Sequence, residues 1–357
     1  MRALSFVRIG VFLLALAWPL ATMRAGDRTL ATEQRTRRPM PSLGAAGREY
    51  PEHFDAYFRD NFGWGDRMIR WHHLLKYRAL GQSPVDAVIA GGDGWLFYSM
   101  PGDGVDIRNF SGHWPHDASD VETWLVRQNA RGQQYARAGV QYLIALAPDK
   151  QSLYPEHVPF RYGPHAPGVM GELLSRSASY PELALLDLAA ALRPRRDAQL
   201  YYRGDTHWNG RGAFLAASAI VDRLRRHLPS VRAIRESDYE IQSAPRNIGD
   251  LVNIMGLGLP ANDVAVTYRR RVPLANVIRD EPLHHVWEQP GTRLPRAVLL
   301  GDSFGLAIAP LLADAFSRLH YYLSSTGGPD PSVVDQERPD VVILITVERY
   351  LPHLGGP

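Results

Sequence analysis

The chain of 357 residues carries 40 basic and 37 acidic side chains, a formal net charge of +3, so charge alone does not make it a nucleic-acid binder. With 45% hydrophobic and 22% charged residues its composition is globular, and the absence of cysteine excludes disulfides, thiolate metal sites and a thiol nucleophile. Lysine occurs only as Lys76 and Lys150, the other 38 basic residues being arginine.

The first predicted element is an export segment. Arg2 and Arg8 precede an apolar stretch from Ile9 to Met23, the positive and apolar regions of a secretory signal. The stretch is short for a spanning helix and holds Pro19. Residues 1–26 are therefore read either as a signal cleaved after Ala25 or as a retained membrane anchor. Residues 27–84 follow as a polar linker, 27–50, and a helical lead-in. There Phe54, Tyr57, Phe58, Phe62, Met68, Ile69, Trp71, Leu74 and Leu75 recur at helical spacing until Gly81 stops them.

The compact domain is expected over 85–357. It opens with DAVIAGGDGWLFY, a strand, a Gly-rich turn and an aromatic strand, in which Trp95 and Phe97 read as core. A helix is expected over Ala118 to Ala138, with Ser119 or Asp120 as N-cap and Gly139 at its end. VQYLIALAP, ending at Pro148, has the continuous apolar character of a strand buried on both faces. Helix from Gly168 to Ser177, strand from Ala184 to Leu188 and helix from Gly212 to Leu228 follow. Residues 239–293 break into short turn-rich pieces and read as a β-rich insertion. AVLLGDSFGLAIAPLLADAF then predicts strand, tight turn and helix, and DVVILITV a last buried strand. This alternation predicts a three-layer α/β/α sandwich with a mainly parallel sheet.

Two motifs carry chemistry. Ser303, in Gly301-Asp302-Ser303-Phe304, sits at a strand-to-helix turn, the carboxyl edge of a parallel sheet where open α/β folds bind ligands. The following helix turns unsatisfied N–H groups toward any negative charge that develops beside the hydroxyl. A reading in which Asp302 or Ser303 only caps that helix fits the same residues. The second motif is Asp205-Thr206-His207-Trp208. In an extended segment Asp205 and His207 share a face, so a carboxylate can orient the imidazole that activates a serine. A polar cluster flanking the helix fits as well. A metal site would need a further strong ligand, and His72, His73, His284 and His285 have no recognised ligand spacing. No cofactor motif is present. Lys150, just past a strand, and Arg349 and Tyr350, just past the last one, are expected at the same sheet edge as substrate contacts. Trp208 is a candidate for stacking on a sugar ring.

In order along the chain, DAVIAGGDGWLFY, APDKQSLYPEHVP, GDTHWNGRGAF, GDLVNIMGL, LLGDSFG and PDVVILITVERYL resemble the alginate O-acetyltransferase family, AlgJ and AlgX type, of SGNH-hydrolase-like proteins. The likeness spans roughly 85 to 352, and FDAYFRDNFGWGDRMI in the lead-in is similar too. It implies that Ser303 is the nucleophile and that Asp205 and His207 complete a triad, in a permuted order relative to ordinary SGNH hydrolases. It further implies a periplasmic enzyme, often held at the inner membrane by an uncleaved signal. Such an enzyme acetylates an exopolysaccharide with acetyl groups delivered by a membrane-bound O-acyltransferase partner. On the residues themselves, a free carbohydrate acetylesterase and an inert polysaccharide-binding scaffold remain open.

Overall fold

The computed structural model describes residues 2–22, 29–30, 35–100, 104–113, 118–163, 168–180, 183–324 and 331–353. The expected cleavage point at Ala25 lies outside them.

Helix α1 (Arg2–Ala21) runs through Pro19 without a break. Among the described residues no helix is long and apolar enough to cross a membrane. The stretch read as a linker holds a two-residue ladder, Thr29–Leu30 with Arg35–Thr36, and a turn of helix at Leu43–Ala46. The lead-in is two helices, α2 (Tyr50–Asn61) and α3 (Gly65–Leu80). Gly81 ends α3 as expected: at φ 62° it takes the left-handed turn that returns its N–H to the Lys76 carbonyl. Strands β1 (Val88–Ala90) and β2 (Leu96–Tyr98) form a separate hairpin.

The principal remaining elements are those of the sandwich and one further hairpin. They are α4 (Ala118–Arg137), β3 (Gln141–Ala147), α5 (Val169–Arg176), β4 (Leu185–Asp187), α6 (Gly210–Arg225), β5 (Tyr239–Arg246), β6 (Asp263–Arg270), β7 (Asn276–Glu281), β8 (His284–Glu288), β9 (Arg296–Gly301), α7 (Ser303–Ala313), β10 (Arg318–Leu323) and β11 (Val341–Val347). Seven strands form the central sheet in the order β4-β3-β11-β9-β10-β8-β7. The first five are parallel, and β8 and β7 continue them antiparallel. The apolar runs are buried on both faces because alternate residues feed two cores. Leu143, Ala145, Leu299, Ile343 and Ile345 pack with α6 and α7, while Ile144, Leu146, Val298, Leu300, Val342 and Leu344 pack with α4 and α5. The fold is the expected three-layer sandwich.

Two local expectations change. Helix α4 begins at Ala118, so Ser119 and Asp120 lie inside its first turn and not at its cap. Residues 239–293 are not one insertion: among the described residues β5 and β6 pair only with each other, whereas β7 and β8 are the antiparallel edge of the main sheet. The strand that receives them, β10, reads RLHYYL, with no apolar run to announce it.

Candidate active site

Ser303 is placed by regular structure. β9 ends at Gly301, where a Cβ would stand 2.3 Å from the Ile345 carbonyl oxygen, so only glycine lets the turn pass β11. Asp302 caps α7. One oxygen accepts the Phe304 N–H at 2.9 Å and the other the Val347 N–H at 2.8 Å, which ties the helix start to β11. Tyr321 donates its hydroxyl to the Asp302 carbonyl at 2.6 Å. Capping is thus the work of Asp302, and Ser303, the first helical residue, is left exposed.

The opposing segment has no regular structure. Residues 202–207 run between the members of an isolated bridge, Tyr201 with Trp208, and side chains hold them. Asp263 accepts the N–H groups of Arg203 and Gly204 at 2.7 and 2.9 Å. Asp250 accepts the Thr206 N–H and hydroxyl at 2.8 and 2.5 Å. Lys150 donates to the carbonyls of Tyr202, Arg203 and Asp205 at 3.0, 3.0 and 2.8 Å.

These two parts meet at the imidazole. His207 Nε2 is 2.8 Å from Ser303 Oγ, and its Nδ1 is 2.7 Å from Asp205 Oδ1. Below the ring lies Phe304, its centroid 5.4 Å away. Arg246 Nη2 donates to Asp205 Oδ2 at 2.7 Å. Burial, the largest influence on Asp205, pushes its pKa up, but hydrogen bonds and charge from His207 and Arg246 outweigh it. The carboxyl is held well below the usual range and stays ionised. At the turn, the Phe304 N–H is taken by Asp302 Oδ1 and the Gly305 N–H by the Asp302 carbonyl at 2.9 Å. Of these three consecutive amides only that of Ser303 has no acceptor among the described residues.

Asp205, His207 and Asp250 each offer an atom within 4.8 Å of the other two, a spacing a cation can bridge. The same atoms already take part in hydrogen bonds and ion pairs. His207 Nδ1 faces Asp205, both Asp250 oxygens hold Thr206, and Arg246 already brings a positive charge to Asp205. The donor set fits a hydrogen-bonded charge cluster.

Three expected substrate contacts are buried. Lys150 is 2% exposed, its three N–H groups satisfied by main-chain carbonyls. Burial lowers its pKa to about 7. It lies past the carboxyl end of β3, as expected, but there it fastens the loop that carries His207 and leaves no N–H for a substrate. Arg349, also buried, pairs with Asp149 and lies over the Phe304 ring. Trp208 is 2% exposed and packs edge-on against Phe304, so it is core and offers no face to a sugar. Tyr350 is half-buried beside Arg349. Trp95 and Phe97 are core, as expected. Sequence reasoning missed Arg246, Asp250 and Asp263. Only Asp250 carried a signal, as part of GDLVNIMGL.

Comparison with known proteins agrees with this architecture. Residues 88–333 match the family model described as the SGNH hydrolase-like domain of acetyltransferase AlgX. A curated relative, the probable alginate O-acetylase AlgJ of Pseudomonas aeruginosa, is 28% identical over 152 residues, 41% of this chain and 35% of that protein. The chain thus matches about a third of that relative's length. PatB1 of Bacillus cereus superposes with a TM-score of 0.59 at 17% identity, covering 74% of this chain and 96% of the other. The O-acetyltransferase domain of Pseudomonas putida AlgJ gives 0.49 at 21% identity, covering 74% and 92%.

Proposed function

The chain belongs to the AlgX family of SGNH hydrolase-like acetyltransferases, and from that membership and the geometry of the site we propose that it O-acetylates an alginate-like exopolysaccharide through an acetyl-serine intermediate. The observation that carries this reading is the imidazole of His207, bonded to Ser303 on one side and to Asp205 on the other.

His207 takes the Ser303 proton as Oγ attacks the acetyl carbon of the donor. Asp205, ionised and clamped by Arg246, fixes the imidazole tautomer and steadies the imidazolium. The Ser303 N–H supports the oxyanion, a contribution of about 3 to 4 kcal/mol for such a donor. The imidazolium returns its proton to the departing group, leaving acetyl-Ser303. A sugar hydroxyl then gives its proton to His207, attacks the acetyl carbon and carries the acetyl group away, and the serine recovers its proton. Water as acceptor would make the same site an acetylesterase, so the acceptor alone separates the two activities.

In this reading residues 1–26 export the chain and either leave or anchor it, 27–84 form the lead-in, and 85–357 act in the periplasm. A membrane-bound O-acyltransferase supplies acetyl groups. The name of the curated relative motivates alginate as the polymer. The test is Ser303→Ala: release of the chromophore from an aromatic acetyl ester is expected to disappear while circular dichroism is unchanged. Retained turnover in a folded variant removes Ser303 from the role.

A further inference from the structure

Helix α3 presents two different faces. The inner one is fastened to the domain. His73 Nδ1 lies 2.8 Å from the Met255 carbonyl oxygen, Leu74 and Tyr77 pack on the cluster of Val88, Leu96, Val252 and Met255, and the Arg70 guanidinium lies against Gly258. On the outer face Trp64, at the helix N-cap, is followed by Met68, Trp71 and Leu75 at steps of four, three and four residues. At ~100° per residue these four side chains fall within an arc of about 60°. They are 41%, 57%, 73% and 61% exposed. A helix that already buries its other face has no need of this row for the core, and a contiguous exposed apolar row marks a contact surface.

We infer that this row seats in the interface of a lipid bilayer bearing anionic headgroups. The composition favours lipid. Two of the four side chains are indoles, which prefer the headgroup level, and the same wheel places Arg67 and Arg78 along one border, where guanidinium groups can meet phosphates. A second apolar surface lies ahead of the lead-in: on α1, Ile9, Val11, Phe12, Leu13 and Leu14 are 54% to 66% exposed. Both helices precede the sandwich, and both turn large apolar side chains outward. Seating α3 would hold the domain by the side on which Met255 and Leu257 pack, in the segment that starts at Asp250. The inference stands on this row and is independent of the acyl-transfer reading.

The absence of cysteine makes the test clean. Single variants of the full chain, Trp71→Cys and Leu75→Cys, with Thr123→Cys on the exposed side of α4 as reference, are labelled with a nitrobenzoxadiazole dye. Each is reconstituted in vesicles of phosphatidylethanolamine and phosphatidylglycerol. Quenching by nitroxide lipid is compared with quenching by aqueous iodide. The dye at 71 and 75 is expected to be quenched severalfold more by the lipid nitroxide than the dye at 123, and to be protected from iodide. That protection should weaken in vesicles of phosphatidylcholine alone. Iodide access at 71 and 75 equal to that at 123 would overturn the inference. Protection from iodide without lipid quenching would overturn it too, because the row would then be covered by protein, either a second copy or a partner. Equal protection in phosphatidylcholine would overturn the role given to anionic headgroups.

Discussion

Ser303 and His207 meet at 2.8 Å but reach that point on different scaffolds. The serine stands at the junction of a parallel strand and a helix, and its position follows from the sheet register, one glycine and one cap. The imidazole stands on an irregular loop whose course is set by Lys150, Asp250 and Asp263, drawn from three separate parts of the chain. The serine is therefore as rigid as the fold, whereas the imidazole is as rigid as a set of side-chain hydrogen bonds. Faults on the two sides should have different signatures.

The largest effect is expected on the serine side. Gly301→Ala drives a methyl group into the Ile345 carbonyl in the middle of the sheet, and should cost about 3 kcal/mol or more of stability together with most of the activity. Chemical denaturation checks it. A stable, active variant would mean that the turn tolerates displacement.

On the imidazole side, Lys150→Met leaves three carbonyls, that of Asp205 buried, without their donor and should cost about 2 to 3 kcal/mol. Turnover of an acetyl ester should fall further than the folded fraction does, since the loop that carries His207 loosens first. Activity that simply tracks the folded fraction would erase the distinction between the two sides.

The smallest effect concerns the floor beneath both. Glu348 accepts the Asp149 N–H at 3.0 Å, and burial raises its pKa to about 7. The native state then holds a proton that the unfolded chain releases above about pH 4.5. This contribution to stability is present in full below pH 4.5 and is lost as pH rises through about 7. Buried Asp106, also raised to about 7, adds a slope of the same sign. Lys150, lowered to about 7, acts with the opposite sign only above that window. Thermal midpoints measured from pH 5 to 7 should decline, and Glu348→Gln should flatten the decline. An unchanged slope would show that Glu348 is ionised throughout.

The same contrast explains what could be read from the sequence. β3, β9 and β11 are buried on both faces, so they appear as unbroken apolar runs, and the serine turn stands out between one of them and a helix. Asp205 and His207 were legible because they sit two residues apart. Lys150 stands out by its rarity, but its destination is tertiary: nothing in APDK says that the ammonium turns inward to three carbonyls. Arg246 and Asp250 act through contacts more than forty residues away in the chain. Strand β10 was hidden because His320, Tyr321 and Tyr322 replace the aliphatic residues of its neighbours.

The central claim is that His207 activates Ser303 as an acyl-accepting nucleophile. A small sulfonyl fluoride, applied to the full chain and followed by peptide mass spectrometry, tests it most directly. The account expects a single adduct on Ser303, formed at least ~100-fold more slowly in His207→Ala, the scale of general-base assistance. An adduct on another residue, or equal rates in the two proteins, would contradict it.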